Sequence, residues 1–165
     1  MRGRIGAFVS IGLTVTSCSI GPGPRVEGNE SSAIRYLRAL NVSEASYAYI
    51  CGKGGYAVSL SVLGAPLPDS KEPNLPPDLV TGVAATKSGY AITLGPAAGA
   101  TDGPLDCNGK PTQTSYYAKA EPVKFGETGT RSFATNPANT IWQLKEATAP
   151  PEPLGRPGAA AMPVQ

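Results

Sequence analysis

Three cysteines, a cluster of Asp102, Asp106 and Asn108 in one glycine-rich stretch, and the complete absence of histidine bound the chemistry open to this chain. Without imidazole there is no side chain that ordinarily titrates near neutral pH, and a serine or cysteine nucleophile would need an unusual lysine partner. No recognisable motif supplies one, so no catalytic residue is assigned and a non-enzymatic protein is expected. Asp102, Asp106 and Asn108 offer oxygens to calcium, but their spacing departs from the twelve-residue calcium loop, and Asp, Asn and Gly serve turns in the same way. Two sulfurs without histidine do not complete a tetrahedral metal site, and no cofactor is implied. Charged residues make up only 16% of the chain and the net charge is +2. With no basic run to neutralise phosphates, nucleic acid is excluded as a partner.

The three cysteines divide by position. Arg2 and Arg4 precede an apolar stretch over 5–15, too short to cross about 30 Å of hydrocarbon as an ordinary helix but suited to an export signal. The segment Val15-Thr16-Ser17-Cys18 resembles a lipobox, an aliphatic residue and two small ones before the cysteine that receives the lipid. On this reading residues 1–17 are a lipoprotein signal, and Cys18 anchors the protein to a membrane of the cell envelope. An ordinary secretory signal with an incidental cysteine is the alternative. Residues 18–28, with Gly21-Pro22-Gly23-Pro24, read as a tether, because proline lacks the amide donor and glycine is entropically poor in a helix. Cys51 and Cys107 then remain as a pair in an oxidising compartment. A disulfide between them would stabilise the fold by roughly 4 kcal/mol, against the alternative of two free buried thiols.

Behind these residues stands one small domain, placed at 29–148. Asn29 suits a helix N-cap, and from Glu30 onward Ala33, Leu37, Leu40, Tyr47 and Cys51 recur at near-helical spacing. Glu44 interrupts that stripe. Arg35, Arg38 and Asn41 suit a wetted face, and Gly52, Gly54 and Gly55 end the element. The segment from Gly55 through Leu63 fits a short strand or a helical turn. Five prolines between 66 and 77 mark a surface loop, and a brief helix is expected over 78–84. Alternation at Tyr90, Ile92 and Leu94 predicts a strand, as does the stretch 114–123. Segments 131–135 and 140–144 flank the turn signal Asn136-Pro137-Ala138-Asn139 and predict a hairpin carrying Phe133 and Trp142, both assigned to the core. Residues 149–165 are Pro, Gly and Ala with almost no large apolar side chain, and read as a disordered tail. The expected class is α+β: one N-terminal amphipathic helix on a small antiparallel sheet of three to four strands.

The helix phrase Glu30-Ser31-Ser32-Ala33-Ile34-Arg35-Tyr36-Leu37-Arg38-Ala39-Leu40-Asn41 is similar to the helix pattern of type IV pilins and of the pseudopilins of type II secretion. Gly55-Tyr56-Ala57 and Lys87-Ser88-Gly89-Tyr90 resemble the short Tyr-led strands of pilin-like proteins. Gly129-Thr130-Arg131-Ser132-Phe133-Ala134-Thr135, followed by Thr140-Ile141-Trp142, resembles their terminal hairpin. The resemblance spans residues 30–144 and implies a pilin-like head that contacts envelope proteins of pilus or secretion machinery. A ligand-binding or accessory protein of the periplasm with the same architecture is the alternative. The departures are definite as well. The cleavage glycine, the glutamate near the new N-terminus and the apolar half-helix that packs a filament core are all missing, so assembly by the usual route is not implied.

Overall fold

The computed structural model of the chain describes residues 23–79 and 84–164. Its first element is α1 (Pro24–Ile50), a rod of 27 residues and so about 40 Å long. It starts before the expected Asn29 cap: Gly23 takes extended N-cap backbone and Pro24 stands in the first turn. The proline read as a breaker is a starter, because the first helical amides have no intrahelical acceptor and the ring presets φ. Residues 24–28 are therefore helical rather than tether, and Asn29 donates sideways to the Thr128 carbonyl at 3.0 Å. The buried stripe runs Glu30, Ala33, Leu37, Leu40, Glu44, Tyr47 and Cys51, in steps of three and four. All five expected apolar positions lie on it, together with two glutamates. Asn41, assigned to the wetted face, is buried as well.

After Cys51 the chain reverses through Lys53 and Gly54, both at positive φ, and the Gly54 amide reaches the Ala48 carbonyl at 2.9 Å. The segment that fitted either strand or helix holds one of each. It forms β1 (Tyr56–Ala57) and then α2 (Leu60–Leu63), whose Val62 amide donates to the Ser59 hydroxyl. A 3-10 turn, Pro77–Leu79, falls where a brief helix was expected over 78–84; residues 80–83 lie outside the described ones, and Ala84 is strand rather than helix.

The remaining strands are β2 (Ala84–Lys87), β3 (Tyr90–Pro96), β4 (Thr112–Gln113), β5 (Tyr116–Pro122), β6 (Ser132–Thr135), β7 (Trp142–Leu144) and β8 (Met162–Pro163). Six of them form an antiparallel sheet in the order β2-β3-β5-β6-β7-β8, while β4 leaves to pair with β1. The α+β class stands, and the expected three to four strands understate the sheet. Ile92 lies opposite Ala120, and Ala120 opposite Phe133. Tyr90, Leu94 and Ala118 share their face by period-two alternation, and all are buried in one core with Leu37 and Leu40 of α1.

Residues 149–164 depart furthest from the sequence reading. Instead of a disordered tail they form a strap over the other face of the sheet. The Ala149 amide donates to the Glu121 carboxylate at 2.9 Å, the Pro150 carbonyl accepts the Tyr117 hydroxyl at 2.5 Å, and β8 pairs with β7. Ser132 and Ala134, which point away from α1, have no exposed surface. The strap is poor in large apolar side chains, yet it is held at both ends: polar groups of β5 bind Ala149 and Pro150, β7 pairs with Met162 and Pro163, and Val164 packs against the core. Trp142 is only half-buried and lies against Gly155 of the strap, so it belongs to this outer layer rather than to the core.

Candidate interaction surface

The two ends of α1 carry different arrangements. Hydrogen bonds pair Glu30 with residues 130 and 131 at the start of β6, and Asn41 with Thr135 at its end, so β6 runs alongside α1 in the same direction. The β5–β6 turn therefore lies at the helix start. The disulfide and the Asn136–Asn139 turn lie toward its C-terminal end.

At that far end, Cys51 and Cys107 form a disulfide with Cα atoms 4.8 Å apart, and the Cys107 amide donates to the Cys51 carbonyl at 2.9 Å. Asp106 is buried beside it. One of its oxygens accepts the Tyr47 hydroxyl at 2.8 Å, and the other accepts the Asn108 and Lys110 amides at 2.8 and 2.7 Å. Burial, and after it this bond to Asp106, pushes the Tyr47 phenol well above its ordinary range. Asp102 is exposed and makes an isolated bridge with Gln113, while the Asn108 amide group points to the Cys51 sulfur at 3.7 Å. Asp106 thus braces its loop, partly through the Asn108 amide, the Asn108 side chain meets the Cys51 sulfur, and Asp102 lies in a backbone bridge. Among the described residues no group of three or more Cys, Asp or Glu side chains is placed to share a metal. Cys18 lies outside the described residues.

The residue that the sequence reading treated as an interruption is the most unusual one here. Glu44 is completely buried; one oxygen accepts the Ala57 amide at 3.0 Å, and the other has no hydrogen-bond partner. Burial raises its carboxyl to about 8, with the Ala57 bond working in the opposite direction. The Ala57 carbonyl accepts the Gln113 amide group at 2.7 Å, and Gln113 also keeps an unpartnered buried oxygen. A single strand residue is therefore pinned from both sides by side chains that are each half satisfied. The signal for Glu44 was its place in the helical stripe; Gln113 carried none.

Above this layer opens a cleft of about 470 Å³ between the last turns of α1 and the β6–β7 hairpin. Asn41 and Tyr116 line its inner side, Tyr49 and Lys53 its outer, exposed side, and Pro137 and Asn139 the hairpin wall. Asn41 is fully engaged: it accepts the Tyr116 hydroxyl at 2.9 Å and donates to Thr135 at 3.0 Å and to the Asn139 carbonyl at 3.4 Å. Burial, with the nearby Glu44 charge second, raises the Tyr116 phenol. Tyr56 meets the Tyr116 ring edge to face at 5.0 Å. The inner side is thus rigid and satisfied. The outer side is not, since Tyr49 keeps 90% of its surface exposed, with Ile50 and Leu105 also open near the disulfide. Such a site can stack on and hydrogen-bond to a visitor; it places no nucleophile beside a base.

No protein-family model, curated protein or solved structure matches this chain at a significant level. The disulfide suggests an oxidising, exported setting. Among the described residues no helix is long and apolar enough to cross a membrane.

Proposed function

We propose that the protein is a cell-envelope lipoprotein without catalytic activity, whose pilin-like head is an interaction or structural module of pilus or secretion machinery. The observation that carries this is Tyr49, 90% exposed on the rim of the cleft. A large aromatic left open beside a rigid pocket has the character of a protein-interface anchor. Only five residues separate Cys18 from Pro24, and α1 then sets the cleft, from Asn41 to Tyr49, about 25 to 37 Å along the helix from its start. A long N-terminal helix laid on an antiparallel sheet is the order the pilin resemblance implies, with lipid in place of the apolar half-helix. Partners are the membrane, through the anchor, and envelope proteins; neither nucleic acid nor a cofactor takes part.

A photo-crosslinking residue at Tyr49 in living cells is expected to give an adduct with a pilus or secretion component, and one at the exposed Lys71 to give none. Free protein at both positions would remove the interaction reading. For the anchor, globomycin should accumulate precursor, and Cys18→Ala should abolish palmitate incorporation. Unlabelled wild-type protein would remove it. The volume of the cleft lies in the range of small-ligand sites, which favours the periplasmic ligand-binding or accessory protein as the second reading. Saturable binding of a small periplasmic solute that Tyr49→Ala abolishes, without a protein adduct, would select it.

A further inference from the structure

The opposite end of the molecule carries an apolar feature that the cleft does not explain. After β5 the chain turns through Val123-Lys124-Phe125-Gly126, and Val123 and Phe125 keep 54% and 48% of their surface exposed. The turn is firmly built: the Val123 amide donates to the Gly89 carbonyl at 2.9 Å, the Gly126 amide to Gly129 at 2.8 Å, and the Thr128 amide to Lys124 at 2.8 Å. It is fixed to the start of α1 as well, through Asn29 to the Thr128 carbonyl at 3.0 Å and Glu30 to the Thr130 amide at 2.8 Å. Two large apolar side chains are thus held out from a rigid turn at one end of the rod.

What covers them follows from the chain that precedes the rod. Six Cα steps join Cys18 to Pro24 and reach at most about 20 Å, even fully extended. A lipid on Cys18 would therefore keep the start of α1, and the turn fastened to it, close to the headgroups. We infer that the Val123–Phe125 turn is a second membrane contact, inserting its apolar side chains into the interface beside the lipid. This rests on the lipoprotein reading proposed above. A second contact fixes orientation, which one flexible tether cannot do: the rod stands off the surface and the cleft faces away. The contact is apolar rather than electrostatic. Arg25, Lys124 and Lys145 at this end are matched by Glu27, Glu127 and Glu146, and Lys124 is itself paired with Glu127 at 3.4 Å. A neutral surface suits such an end as well as an anionic one.

The lipidated full-length protein, purified from membranes and reconstituted into phosphatidylethanolamine–phosphatidylglycerol vesicles with brominated acyl chains, tests this. Trp142 is the only native tryptophan, so wild type gives the background. In Phe125→Trp the added fluorescence should fall by about half as it meets the acyl boundary, while that added by Tyr49→Trp should be unquenched. Val123→Trp is a second reporter should the first variant misfold. Quenching should persist in high salt and without phosphatidylglycerol. Protein that floats with the vesicles but shows no quenching at 123 or 125, or equal quenching at 49, overturns the second contact and leaves the anchor standing. Protein that does not float overturns the anchor, and this inference with it.

Discussion

Glu30 and Glu44 occupy the same buried stripe of α1, about four turns apart, yet the two carboxyls are held in opposite states. Burial presses upward on both. At Glu30 it is outweighed by the Thr130 amide at 2.8 Å, the Arg131 guanidinium at 2.7 and 2.8 Å and the Thr130 hydroxyl at 2.9 Å, which hold the group below the usual carboxylate range. At Glu44 a single amide opposes burial, and the carboxyl rises to about 8. Depth alone therefore does not decide the charge of a buried acid; the donors aimed at it do. The end of the rod nearest Cys18 is fastened by an ion pair. The far end is fastened covalently, and carries a neutral acid with one oxygen unserved.

The covalent fastening is the largest difference to break. Replacing both Cys51 and Cys107 by alanine should lower unfolding free energy by about 4 kcal/mol, read as a shift in urea midpoint against wild type. An equal midpoint for the two proteins would show that the bond adds nothing to this end. Removing the ion pair comes next. Arg131→Ala leaves Glu30 buried without its guanidinium and should destabilise by about 3 kcal/mol at pH 7. Since the folded-state carboxyl lies below its unfolded value, its contribution is complete above that unfolded value, 4.5, and fades as pH falls through the folded one. The deficit of the variant should shrink in acid; a deficit independent of pH would assign it to lost packing instead.

Glu44→Gln should act in the other direction. A folded carboxyl at about 8 against an unfolded value of 4.5 makes the folded state bind the extra proton, so wild-type stability falls as pH rises from 4.5 to about 8 and then levels off. Glutamine keeps an acceptor for Ala57 and does not ionise, and should stabilise the protein by up to about 4 kcal/mol at pH 8 and by little at pH 4.5. Thermal melts at the two values would show it, and a variant melting below wild type at pH 8 would mean that the ionised form is accommodated after all.

The difference between the two glutamates was half visible in the sequence. Glu44 stood out as an interruption of the stripe of Ala33, Leu37, Leu40, Tyr47 and Cys51, but the burial of Glu30 in the same register was not read; what faces Glu30 lies about a hundred residues away, in Thr130 and Arg131. The hairpin around Asn136–Asn139 was legible because its turn chemistry is local, with the Ala138 amide bound to the Asn136 side chain at 3.0 Å. The pairing of Cys51 with Cys107 was legible by counting thiols. Pro24 misled because the same missing amide that breaks a helix interior is harmless in its first turn. The strap misled because composition reports whether a segment can bury itself, not whether another strand will satisfy its backbone. The cleft was not legible at all: Tyr49 and Asn139 come to line one space only once the helix and hairpin are packed.

That strap also closes the sheet. Segments 132–135 and 142–144 pair as near neighbours in sequence, whereas Met162 and Pro163, the partners of Gln143 and Trp142, come from the last residues described. Without the strap the outer edge of β7 would stand open. The last described residues thus act as a closing latch, and a chain cut short at Ala147 would leave the outer edge of β7 unpaired and take from Trp142 its cover at Gly155.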